Sequence, residues 1–213
     1  PVVGSHPVGL EGYKTLAYEL YEDLDGDVPD WIVVPTSYGD IVAGIWRGFQ
    51  DLAALGLIRK LPRLVVAEVY RSVETTLEGG GDRMFDAPRT FESLAVSIAA
   101  SQGTFQSLQA VRQSSGRAIT LVDDELLAVQ RETARAEGML GELSSVAAVA
   151  ATARLRADGT IGAGETVVCV MTSTGLKDLD KSGTPPRPVE PVRGGLDAAL
   201  DYLSDVYGFT PAP

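Results

Sequence analysis

A single cysteine, Cys169, stands among the 213 residues, so no internal disulfide can form. It lies in the apolar run TVVCVMT and reads as a small buried hydrophobe rather than a nucleophile. A reduced, cytoplasmic setting is the expectation that follows. Histidine is equally scarce. His6 has no histidine or cysteine partner with which to hold zinc, and no metal is expected. Positive charge is short as well: 18 basic residues stand against 29 acidic ones, a net charge of −11. Nucleic acid and anionic membranes are poor partners for such a chain, because both demand a basic face. No apolar run approaches the roughly 18 residues of a membrane-spanning helix. No stretch near the first residue has the charged-then-apolar order of a signal peptide. The acidic run Glu22-Asp23-Leu24-Asp25-Gly26-Asp27 lacks the glutamate that closes a calcium loop and reads as a solvated turn.

What is present is an alternation of two hydrophobic periods. Leu16, Ala17, Leu20 and Leu24 recur at helical spacing across 13–24, and Ile41, Ile45, Phe49 and Leu52 do so across 41–55. Further helices are expected over 104–112 with Gly116 closing it, from an Asp123 cap to about Glu137, from a Ser144 or Ser145 cap to about Ala157, and over 196–207. Between them, 31–34, 64–69, 118–122 and 166–171 are short continuous apolar runs. Strands of that kind are buried on both faces. The expected fold class is therefore α/β, a mostly parallel twisted sheet with helices on both faces. GGGDR at 79–83 is a loop, and the proline-rich stretch 183–192 reads as extended.

In such sheets ligands sit where strand ends turn into helices. Two turns stand out: Thr36-Ser37-Tyr38-Gly39-Asp40 after the first strand, and Thr172-Ser173-Thr174-Gly175 after the fourth. Hydroxyl side chains that bond their own backbone would explain both. A ligand held by those hydroxyls is the sharper reading. Arg83 and Arg89, near the glycine loop, are candidates for an anionic substrate group beside the plainer reading of solvated loop arginines.

Six blocks in order carry a resemblance: EGYKTLAYEL (11–20), VPDWIVVP (28–35), AGIWRGFQDLAALGLI with KLPRLV (43–65), SSGRAITLVDDELL (114–127), EGMLGELSSVAA (137–148) and VVCVMTSTGLKD (167–178). Together they resemble the second half of threonine synthase, a pyridoxal-phosphate (PLP) enzyme of fold type II. The resemblance implies the larger, cofactor-binding domain of a tryptophan synthase β-like fold, incomplete over residues 1–213. It implies PLP as cofactor. Thr36, Ser37, Tyr38, Gly39 and Asp40 match the glycine-rich phosphate cup, of whose glycines only Gly39 stands here. Thr36 and Ser37 add hydroxyl donors. Asp40 adds a carboxylate, which either caps the helix at Val42 or Ala43 or holds a substrate amine or water. Thr172 matches the hydroxyl at the pyridine nitrogen, and Ser173 replaces a glycine beside it. Glu142 and Ser145 fall on the cofactor or substrate side, although Ser145 also suits a helix cap.

The same resemblance leaves something out. The family's cofactor-anchoring lysine matches none of Lys14, Lys60, Lys177 and Lys181. It belongs to an upstream segment, together with the smaller domain, and the opening PVVGSHP is expected to fall near the middle of a full-length member. The implied activity is PLP-dependent elimination or replacement on a small amino-acid substrate, a lyase or synthase reaction of amino-acid metabolism. The missing half or a companion subunit supplies the lysine, in a homo- or hetero-oligomer, and residues 1–213 alone have no catalytic residue and no activity. Two other readings stay open: a non-catalytic binding or regulatory module that has lost the lysine, and a generic phosphate binder, which would want a fuller glycine fingerprint.

Overall fold

The structure, a computed structural model, describes residues 7–181 and 192–210. His6 and nearly all of the stretch expected to be extended, 183–192, lie outside the described residues. Among the described residues four strands form one sheet: β1 (Trp31–Pro35), β2 (Arg63–Glu68), β3 (Arg117–Thr120) and β4 (Val167–Cys169). They are hydrogen-bonded in the order β3-β2-β1-β4, and every pairing is parallel. The register sets Val33 beside Val65 and Cys169.

Side-chain alternation along β1 and β2 builds two cores. Ile32, Val34, Leu64 and Val66 face one layer, formed by α2 (Thr15–Asp23), α3 (Asp40–Ala54) and α5 (Phe105–Gln113). Trp31, Val33, Val65 and Ala67 face the other, formed chiefly by α6 (Asp123–Glu137) and α7 (Ala147–Ala157). Ile45 and Phe49 of α3 are fully buried, each worth about 1.5–3 kcal/mol of transfer free energy. On α7 the buried residues are Leu155 and four alanines, at 147, 148, 150 and 151, and these small side chains let the helix lie close to the strands. The expected α/β sheet with helices on both faces is what the chain forms.

Boundaries differ where tertiary contacts override local signals. The helix expected over 13–24 is α2, and a further short helix that was not expected, α1 (Pro7–Gly12), precedes it. The chain bends between them to wrap α3, where a Cβ on Gly48 would come within 2.6 Å of the Ala17 Cβ. Asp123 does not cap α6. Its carboxylate instead accepts from the Ser93 hydroxyl at 2.6 Å and the Leu94 amide at 2.8 Å, fastening that loop to the start of α6. Neither Ser144 nor Ser145 caps α7, whose N-cap is Val146. Ser144 instead accepts from the Ser97 amide at 3.2 Å. β4 is shorter than expected, although the Val170 amide still reaches the Val33 carbonyl at 3.0 Å. The last helix, α8 (Leu196–Tyr207), has the bounds its sequence predicts.

Besides α1, one further helix was not legible: α4 (Ser72–Glu78). Its cap is supplied from the end of β2, where the buried Glu68 carboxylate accepts from the Val73 amide at 3.1 Å and the Glu74 amide at 2.9 Å. Burial pushes Glu68 up to about 7 against those donors, with the Glu74 carboxylate adding repulsion. A folded-state value above the 4.5 of an exposed glutamate means the native state binds more protons than the unfolded one. Stability therefore falls as pH rises through that window. Denaturant unfolding at about pH 5 and about pH 7.5 should show Glu68→Gln losing less stability on that rise than the parent, by on the order of 1–3 kcal/mol. Equal losses would show that Glu68 is not the titrating group.

Candidate functional site

The chain leaves β1 by continuing to β2 and β3 on one side, while β4 lies on the other. The gap between the carboxyl ends of β1 and β4 is thus the place where strand order reverses, the usual ligand crevice of an open parallel sheet. A cavity of about 340 Å³ lies there, lined by the turn after β1 and the turn after β4.

The first wall begins at Thr36. Its amide donates to the Ala67 carbonyl at 2.8 Å and its hydroxyl to the Val34 carbonyl at 2.8 Å, which pins the exit from the sheet. That hydroxyl proton is committed, so the donor expected from Thr36 is not available; among the described residues Ser37 has no such partner. The Thr104 amide donates to the Tyr38 carbonyl at 2.9 Å and ties the turn to α5. Gly39 then serves as N-cap of α3 with φ +100°, a left-handed conformation that favours glycine. A Cβ there would lie 2.2 Å from the Ser107 Cβ. The amides of residues 37–42 find no carbonyl acceptor among the described residues. Free amides at the start of a 15-residue helix, with its positive dipole end, make an anion site.

Asp40 departs from its expected capping role. It is the first residue of α3, Gly39 is the cap, and no side chain caps the helix. The reason is geometric: a residue already inside the first turn cannot fold its carboxylate back onto its own following amides. The carboxylate lines the cavity without a partner among the described residues, and burial holds its affinity for protons above the ordinary range.

The second wall is a clasp between two segments. Gly141 and Thr174 form an antiparallel bridge, and the Glu142 amide donates to the Ser173 carbonyl at 3.0 Å. Ser145 is fully buried and does not line the cavity. Its hydroxyl oxygen accepts from the Ser173 amide at 2.8 Å and lies 2.9 Å from the Thr172 hydroxyl, so it positions both. Thr172, Ser173 and Glu142 do line the cavity. Glu142 is only 3% exposed. Burial raises its proton affinity, but hydrogen bonds from Ser97 and Lys177 outweigh that and leave it below the ordinary range. Ser97 and Lys177 were not singled out by the sequence. Lys177 was visible in GLKD; Ser97 had no signal at all.

Of the two arginines considered for an anionic group, neither lines this cavity. Arg89 sits 5.9 Å over the Tyr70 ring in an adjoining groove that shares Ser37 and Tyr38, and Arg83 lines a separate depression near Thr75 and Thr76. The described residues hold no cluster of three or more potential metal ligands, and no described helix is long and apolar enough to cross a membrane.

Comparison with known proteins decides the family. The profile of "Pyridoxal-phosphate dependent enzyme" matches residues 1–173. The chain belongs to that family. The cofactor of this family is pyridoxal phosphate, and the free amides and hydroxyls of the cavity suit its phosphate and ring, while the Asp40 carboxylate opposes the phosphate. Threonine synthase of Methanosarcina acetivorans is 35% identical over 177 residues, covering 81% of this chain and 44% of that protein. Threonine synthase of Mycobacterium tuberculosis is 33% identical over 192 residues, covering 88% and 52%. The chain thus spans about half the length of the curated relatives it matches. In fold it is similar to a fungal L-serine ammonia-lyase from Rhizomucor miehei, with a TM-score of 0.66 at 19% identity over 83% of this chain and 56% of that one. The fold type II architecture expected from the sequence is therefore present.

Proposed function

We propose that the chain forms the cofactor half of a threonine-synthase-like enzyme, which carries out PLP-dependent elimination or replacement on a small amino-acid substrate. The observation that supports this most is the set of unpaired amides at 37–42 facing a hydroxyl wall across the strand-order reversal. Bound there, PLP would act as an electron sink for the carbon next to the substrate nitrogen. The amides and Ser37 would bind its phosphate. Thr172, oriented by Ser145, would meet the ring nitrogen with a neutral hydroxyl, which leaves that nitrogen less protonated than a carboxylate partner would and favours elimination or replacement over transamination. Thr174 and Gly175 hold the second wall in place through the bridge to Gly141 and the bond to Leu140.

The anchoring lysine belongs, on this reading, to an upstream segment or a companion chain. Each of the four lysines here is paired with a carboxylate: Lys14 with Glu11 and Asp51, Lys60 with Asp30, Lys177 with Glu142 and Lys181 with Asp178. At Lys14 the two carboxylates raise the proton affinity of the amine, which makes it a poorer nucleophile. Borohydride reduction of the protein from its native source with PLP present, followed by peptide mapping, tests the assignment. A pyridoxyl label on a lysine outside residues 1–213 is the expected result. A label on any of the four overturns the assignment of roles, and no label on any lysine favours the non-catalytic module.

A further inference from the structure

Glu142, Ser97 and Lys177 come from three separate segments and meet at one edge of the cavity. The Lys177 Nζ donates to Glu142 Oε2 at 2.9 Å and to Ser97 Oγ at 3.4 Å, and the Ser97 hydroxyl donates to Glu142 Oε1. The two ends of the ion pair differ in exposure. The Glu142 side chain is 4% exposed and that of Lys177 is 53% exposed. A carboxylate so deeply buried is costly unless it is paired, so Glu142 fixes where the ammonium sits. An ammonium carries three protons, and these contacts use two. The third is left for whatever enters the cavity that Lys177 lines.

The charges around the cavity make that proton useful. Among the described residues lining it, Asp40 and Glu142 are acidic and Lys177 is the one lysine or arginine. The chain as a whole carries −11. An anionic ligand therefore meets repulsion from Asp40 on the first wall and a single attractive side-chain charge on the second.

We propose that Lys177 is the anion-binding cation of this cavity, with Glu142 and Ser97 as the residues that position it. The group it takes is a phosphate or carboxylate oxygen. The cofactor's phosphate and a substrate's carboxylate are the two sources of such an oxygen. The inference rests on the cavity being a ligand site, as proposed above, but not on the ligand being PLP.

The experiment titrates the chain with pyridoxine 5′-phosphate (which has a phosphate but no aldehyde), with inorganic phosphate and with L-serine, and repeats each titration with Lys177→Met and Lys177→Arg. The methionine variant should weaken a phosphate probe or L-serine by about tenfold or more, and the arginine variant should stay within about threefold of the parent. Loss confined to the phosphate probes identifies the cofactor side; loss confined to L-serine identifies the substrate side. A saturating ligand should also protect Lys177 in the unaltered chain from acetylation by acetic anhydride, which needs no variant to fold. Glu142→Gln should change the affinity for the probe in the parent but not in the Lys177→Met background, a coupling that a merely structural clasp would not produce.

Unchanged affinities in Lys177→Met together with no protection of Lys177 overturn the inference and leave the proposed function standing. Lys177-dependent binding of inorganic phosphate or L-serine, with none of pyridoxine 5′-phosphate or PLP, does the reverse. A chain that binds none of the probes sinks both.

Discussion

Gly39→Ala is expected to destabilise the chain by roughly 2–5 kcal/mol and to weaken phosphate binding by about 100-fold. Two independent costs add. A non-glycine residue at φ +100° is strained whatever space surrounds it, and the new Cβ would lie 2.2 Å from the Ser107 Cβ and 2.6 Å from its Oγ. Ser107 cannot yield cheaply. It is fully buried in the first turn of α5, and its hydroxyl donates to the Thr104 carbonyl at 2.7 Å. The relaxation left is to move the turn at 36–40, and that turn aims the amides at 37–42. Urea unfolding and titration with pyridoxine 5′-phosphate read the two effects separately. A second substitution, Ser107→Gly, removes the clash but not the backbone strain, so the double variant should recover part of the stability and part of the affinity. Full recovery would mean the φ value is unimportant, and no loss in Gly39→Ala would mean the cup does not depend on this geometry.

What the sequence could and could not say about this region follows from where the determinants lie. The continuous apolar runs that became β1 and β2 needed only their own residues, because strands buried on both faces have no polar face to disguise them. Thr36–Asp40 and Thr172–Ser173 could be placed at strand ends for the same reason, and the cavity joins them. Caps were another matter. A serine or aspartate before a helical pattern reads as a cap, yet Asp40 caps nothing, and Asp123, Ser144 and Ser145 bond elsewhere. Helix α4 failed in the opposite sense: its cap, Glu68, precedes it by several residues, across Arg71, and sits at the end of a strand. Lys177 was in view but its function was not, since that depends on Glu142, 35 residues earlier, and Ser97, 80 residues earlier. Local sequence carries local structure; a charge position built from three segments exists only once the chain is folded.

Asp40→Asn is expected to tighten phosphate binding by about five- to tenfold at low salt. Two unit charges about 4 Å apart interact by roughly 1 kcal/mol in water and by more where water is partly excluded, and a phosphate in the cup would bear up to two charges. Burial has already raised the proton affinity of Asp40, so its ionised form is disfavoured even before a ligand arrives. The sign for the free chain follows. The folded state holds the Asp40 proton to a higher pH than the unfolded state does, so stability falls as pH rises through the window above the ordinary 3.8. The asparagine variant should flatten that part of the profile. An opposing term exists, because a carboxylate in the first turn of α3 interacts favourably with the helix dipole by about 0.3–1 kcal/mol. It acts with or without ligand, so it changes the stability of the free chain and largely cancels from the binding difference. Salt separates the contributions further, since the gap in phosphate affinity between the parent and the asparagine variant should narrow as ionic strength rises. Weaker binding in Asp40→Asn would reverse the assignment and make the carboxylate a ligand group, the behaviour expected if it holds a substrate amine or a bridging water. On the expected result, the cup holds phosphate by its amides against the side chain at its centre, and Lys177 on the facing wall becomes the charge that offsets Asp40.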